Sequence, residues 1–139
     1  MAESQKHIEY VRKIVSYMES TIPSFQIAVI QADLTEFGKR TPQVIGGYYP
    51  DVYYRTLNCF IIGEAKTDSD IDNHHTNAQI DSYILELRTG CQREKHIILS
   101  TSVYSFAMLK NMIVRRKEKE PLSDITFHII DNISRTATL

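Results

Sequence analysis

The stretch Gly46–Thr67, GGYYPDVYYRTLNCFIIGEAKT, decides the fold, because a short apolar run stands in it between two acidic positions. Leu57–Ile62, bounded by Arg55-Thr56 before it and Gly63 after it, is too short for an ordinary helix and reads as a buried strand. Side chains alternate faces along a strand, so Glu64 and Lys66 point one way and Ala65 the other. If Ile45–Tyr54 is the adjacent antiparallel strand, Asp51 stands opposite Glu64. Two carboxylates so placed make a site for a hard divalent cation.

A hard ion such as magnesium takes oxygen ligands and keeps several waters, which suits one or two carboxylates plus a substrate phosphate. It polarises a phosphoryl oxygen and lowers the pKa of a bound water. Lys66, two residues beyond Glu64, could orient that water or neutralise charge developing on the phosphate. The set points to metal-assisted phosphodiester hydrolysis.

Pro50-Asp51 followed by Glu64-Ala65-Lys66 resembles the motif of the PD-(D/E)XK nucleases, the restriction-endonuclease-like superfamily. The resemblance implies that Asp51, Glu64 and the backbone carbonyl of Ala65 ligate magnesium, and that Lys66 positions the attacking water. Downstream, Gln79-Ile80-Asp81-Ser82-Tyr83 looks like the Gln-x-x-x-Tyr element of the RecB-type branch. Gln79 and Tyr83 are four apart and share one face of a helix, where they would orient the lysine or a phosphate. Some relatives place a glutamate on the first helix near the metal, which makes Glu9 a candidate; the plainer reading of Glu9 is a solvated face.

Around this stretch the chain alternates helices and strands. Residues 4–20 carry Ile8, Val11, Ile14, Val15 and Met18 at helical spacing, with Ser4 as a cap. Phe25–Ile30, rich in β-branched and aromatic residues, reads as a strand, and Asp33–Gln43 as a loop whose Lys39 and Arg40 could touch phosphates. Asn77–Arg88 is a helix through Ile80, Tyr83, Ile84 and Leu87, ended by Gly90. Residues 95–101 form a strand, Val103–Lys117 a helix broken by Pro121, Ile125–Ile130 a last strand, and 131–139 a polar tail. The expected fold is a three-layer α/β domain of the restriction-endonuclease-like kind over residues 1–139, with a mixed central sheet.

Some patterns are set aside. Asp68, Asp70 and Asp72 alternate like a calcium loop, but Asn73 and Gln79 hold the places where glycine and glutamate are required. His74 and His75 are adjacent, poor spacing for a helix-borne zinc site. Tyr48, Tyr49, Tyr53 and Tyr54 could stack on bases or, more plainly, fill strand positions.

The 139 residues, 42% apolar and 24% charged, suit one globular domain. A net charge of −1 offers no global attraction to nucleic acid, so contact with DNA falls to the metal and to the cluster Arg115, Arg116 and Lys117. Those cations also complement the helix dipole. Two cysteines without a Cys-x-x-Cys pairing, and no signal-peptide pattern, suggest the cytoplasm and no membrane. The leading expectation is a magnesium-dependent DNA nuclease, accepting manganese and acting as a homodimer that cuts both strands. The alternative is a non-catalytic or partner-dependent nucleic-acid-binding module on the same fold.

Overall fold

The computed structural model describes residues 5–38, 41–68, 71 and 74–139. Its centre is β3, Cys59–Ala65, buried along its whole length. Alternation divides this strand between two cores. Phe60 and Ile62 pack with α2 (His74–Arg88) and α3 (Phe106–Lys119), whereas Cys59, Ile61 and Ala65 pack with α1 (Gln5–Thr21).

β2 (Val52–Arg55) pairs antiparallel with β3, Val52 opposite Gly63 and Arg55 opposite Phe60, and β1 (Gln31–Ala32) pairs antiparallel with β2. On the other side β4 (Glu94–Ser100) and β5 (Thr126–Ile130) continue in parallel, and β6 (Thr136–Thr138) closes the sheet antiparallel to β5. The order is β1-β2-β3-β4-β5-β6. The crossovers β3-α2-β4 and β4-α3-β5 step the same way along the sheet. Crossovers of one hand then place both helices on the same face. The opposite face is covered by α1, whose Tyr10, Val11, Ile14, Val15 and Met18 are buried. Each such side chain stabilises by roughly 1.5–3 kcal/mol on leaving water. The protein is thus a three-layer α/β fold around a mixed sheet.

Gly63 sets the approach of α1 to that sheet. A Cβ there would stand 2.9 Å from Ile14 Cγ2 and 3.0 Å from Val52 Cβ, closer than side chains tolerate. One missing methyl lets the helix sit down against β3 beside Glu64.

Several boundaries depart from the sequence reading. Leu57, expected to begin the buried strand, is 93% exposed in the β2–β3 turn, and the strand runs from Cys59 to Ala65 instead. Ile45–Tyr54 is not one strand. Gly46 and Gly47 both have positive φ and make a two-residue turn, closed by paired Ile45 and Tyr48 backbone bonds of 2.8 and 2.9 Å, and only Val52–Arg55 joins the sheet. Phe25–Ile30 forms no strand either: Ile27–Val29 is a 3-10 turn with Ile27 and Val29 half exposed, and pairing begins at Gln31. The Tyr54 hydroxyl binds Gln26 N and Ser24 O in that segment, which holds it off the sheet.

The helix expected from Asn77 starts at His74, the one expected from Val103 starts at Phe106, and the strand 95–101 is Glu94–Ser100. The polar tail contains β6. Asp131 folds the turn before it, accepting from the N–H groups of Ile133 and Arg135 at 2.9 Å each and from Arg135 Nε at 3.0 Å. Ser4, Lys39, Arg40, Asp70, Asp72 and Asn73 lie outside the described residues.

Candidate active site

The antiparallel register ends at the Val52–Gly63 pair, and Asp51 stands at the bend just before it, close enough to Glu64 for the two carboxyl groups to interact. Asp51 N donates to Gly63 O at 3.1 Å, to the residue already paired with Val52 and so one step out of register, and its Oδ2 accepts from Ala65 N at 2.9 Å. The aspartate therefore satisfies a backbone donor where β3 ends. β4 holds the following residue: Lys66 N donates to Ser100 O at 2.8 Å, and Thr101 Oγ1 donates to Lys66 O at 2.9 Å. The two carboxylates and the lysine are thus positioned by strand pairing on both sides.

Glu64 lies on the face of β3 that meets α2, and α2 supplies the rest. Lys66 Nζ donates to Gln79 Oε1, Gln79 Nε2 donates to the Tyr83 hydroxyl at 3.0 Å, and that hydroxyl donates to Glu64 Oε2 at 2.8 Å. The direction follows from donor inventory. An ammonium can only donate, so Gln79 presents its oxygen to Lys66 and its amide nitrogen to Tyr83, leaving the phenolic hydrogen for the glutamate. All four side chains are buried. The spacing of Gln79 and Tyr83, one helical turn, gives the relay its reach.

Burial, and after it the negative charge of Asp51, pushes the Glu64 carboxyl up to about 8, with Lys66 and Tyr83 opposing. The Tyr83 hydroxyl is raised for the same reasons, burial first and the charge of Glu64 next. Without a metal Glu64 therefore keeps its proton at neutral pH, and once it ionises the two carboxylates outweigh the one lysine in a space poor in water. A divalent cation is the species that such a pair is short of.

The donor chemistry fits that ion. Among the described residues no three His, Cys, Asp or Glu side chains are grouped as a metal cage. Asp51 and Glu64 are instead the pair of oxygen donors that magnesium, retaining waters and a substrate oxygen, requires.

His7 was not anticipated. Its Nε2 lies 3.1 Å from Asp51 Oδ1, and its side chain is 19% exposed. The signal was available: positions 7, 10, 11, 14 and 18 form one helical stripe whose other members are buried, so His7 is the polar head of the apolar face. Glu9 lies off that stripe. It is exposed, lining a shallow groove with Tyr10, Arg12, Lys13, Ser16 and Asn132, and takes no part in the Asp51, Glu64 and Lys66 network.

The basic cluster also resolves into different roles. Arg115 is exposed. Arg116, whose side chain is only 12% exposed, turns onto Asp81 and Glu120 and donates to Asn77 O and Oδ1 at 3.1 and 3.0 Å. It ties α3 to the first turns of α2, where the sequence reading expected a cation for DNA or for the helix dipole. Lys117 is partly buried. Both cysteines are free thiols, Cys59 buried and Cys91 exposed, and no helix of the described residues is long and apolar enough to cross a membrane. Compared with family models, curated proteins and solved structures, the chain matches none.

Proposed function

We propose that the protein is a magnesium-dependent deoxyribonuclease of the PD-(D/E)XK type. One observation carries the reading: the Asp51 and Glu64 carboxyl groups meet where β2 and β3 pair, with Lys66 fixed two residues on by a buried relay. Asp51, Glu64 and the Ala65 carbonyl would hold magnesium, or manganese in its place. When bound, the ion supplies Lewis-acid polarisation of the phosphate and a water of lowered pKa.

The chain's own groups do the rest. Lys66 offsets the negative charge that grows on the phosphate oxygens as water adds and the P–O bond to the leaving oxygen breaks, and it helps to orient that water. Gln79 holds the ammonium in place, and Tyr83 holds Glu64 in one rotamer. The Ala65 N–H fixes one oxygen of Asp51 while His7 takes the other.

The free thiols fit a reducing cytoplasm, and one site per chain suits a homodimer with one site for each of two strands. Light scattering at micromolar concentration tests the dimer. The activity is tested with plasmid, single-stranded and branched DNA, with and without magnesium, beside calorimetric titration of the metal. Asp51→Ala and Glu64→Ala should each lose the bound ion and the cleavage, and magnesium should raise the melting temperature of the parent alone. A Glu64→Ala protein that binds magnesium as the parent does would sink the reading.

A further inference from the structure

The eight tyrosines of the chain divide sharply by exposure, and the two exposed ones flank the proposed site. Tyr53 and Tyr54 are core residues, and Tyr48 packs edge-on against His75 with ring centroids 5.3 Å apart. Tyr49 is different: 72% exposed, it stands two residues before Asp51 across Pro50. Tyr104, 88% exposed, caps the loop that leaves β4 on the other side of β3.

That second loop is fastened to the site. Thr101 holds the Lys66 carbonyl, and the hydroxyls of Ser102 and Ser105 both donate to Asp68, two residues past Lys66. Val103 is pinned from the other direction, its N–H on Asn132 Oδ1 at 3.1 Å and its carbonyl on Arg135 at 2.9 Å. Tyr104 therefore presents a ring to solvent from a backbone held on both sides. β2 and β4 are two strand spacings apart, roughly 10 Å, with Glu64 on β3 between them and Asp51 leading into β2.

We infer that Tyr49 and Tyr104 are stacking platforms for unpaired bases on either side of the phosphate to be cut, so that the substrate is single-stranded DNA or an unpaired segment. The inference rests on the nuclease reading of the site. Two features of the molecule favour it over paired duplex. Duplex affinity comes mainly from phosphate neutralisation, and this chain carries a net charge of −1 with Arg116 already engaged by Asp81 and Glu120. Stacking supplies affinity without cationic charge and is open only to bases that are not already stacked in a helix.

The test uses oligonucleotides carrying 2-aminopurine, whose fluorescence is quenched on stacking, in metal-free buffer so that no cutting occurs. The parent should quench the single-stranded probe, and a blunt duplex of the same sequence should bind more weakly. Tyr49→Ala and Tyr104→Ala should each weaken single-strand binding roughly tenfold, Tyr→Phe at either place should restore it, and Leu57→Ala, in the β2–β3 turn at the far end of the strands, should change nothing. Alanine variants that bind like the parent, or a duplex bound as tightly as the single strand, would overturn the inference. The two readings fail separately. Magnesium-dependent cutting of duplex without quenching removes the stacking role and leaves the nuclease, while quenching without cutting of any DNA does the reverse.

Discussion

On the face of the sheet that meets α2, Asp51, Glu64 and Lys66 share a buried space; on the face that meets α1, His96 and His128 do. Burial acts on both groups by disfavouring charge, and the results are opposite. Glu64 is pushed up to about 8, while His128 is pushed down to about 4 and His96 is lowered too, in each case by burial first. The histidine face is linked by neutral hydrogen bonds, with His96 Nε2 at its end left without a partner among the described residues: the Tyr17 hydroxyl lies 2.7 Å from His128 Nδ1, and His128 Nε2 lies 2.8 Å from His96 Nδ1. The carboxylate face keeps two acids and a fixed ammonium converging on one place. Burial favours the neutral form on both faces, and the candidate for chemistry is the one where two acids and an ammonium converge, so that a cation could replace the proton.

The largest effect expected from this contrast is at Lys66. Lys66→Ala should lower cleavage about a hundredfold or more while calorimetry still shows magnesium bound, since the role proposed for the lysine is on charge that grows in the transition state. His128→Gln, on the other face, should leave cleavage per folded molecule within about twofold, as expected of a position away from the chemistry. A Lys66→Ala protein that cuts normally would reduce the Glu-Ala-Lys triplet to an ordinary strand end.

Next comes stability against pH without metal. Glu64 has a folded-state pKa above its unfolded value, so between about pH 4.5 and about 8 the folded protein holds a proton that the unfolded chain has lost. The stabilisation is complete below that window and disappears as pH rises through it, at up to about 1.4 kcal/mol per pH unit. Urea titrations at several pH values should show this decline in the parent and its absence in Glu64→Gln. An equal slope in both proteins would place the proton elsewhere.

The histidine face predicts the mirror image. With His128 depressed to about 4, the unfolded chain binds the extra proton between about pH 6.5 and 4, so stability falls as pH drops through that range. His128→Gln should flatten this acid arm and leave the alkaline one intact. The smallest effect separates two neighbours on α3. Arg116→Ala should cost about 1–3 kcal/mol, because it strands the groups of Asn77 and Asp81, whereas Lys117→Ala should stay within about 0.5 kcal/mol. Equal shifts of the urea midpoint would mean that the contacts of Arg116 contribute little.

Asp51, Glu64, Lys66, Gln79 and Tyr83 were legible because each depends on a local period: two along β3, four along α2, and one antiparallel pairing to bring Asp51 across. His7 depends on α1 crossing the sheet, a contact 44 residues apart in sequence. Glu9 was attractive as a carboxylate, but helical periodicity had already turned it outward. The misread strand at Phe25–Ile30 shows β-propensity overridden by tertiary context, since its apolar side chains stay half exposed at Ile27 and Val29. β6 was hidden by its threonines, although Ala137 and Leu139 alternate and pack on the core. Arg116 could not be told from Arg115 by composition, because only the placement of α2 turns Arg116 onto Asp81 and Asn77.

The sheet ends in two residues at β1 and three at β6. Such stubs offer a neighbouring molecule few open backbone hydrogen bonds, which protects the protein from strand-by-strand aggregation. They also constrain assembly: a second copy would gain little by continuing the sheet, so a stable pair would have to form through helices or loops.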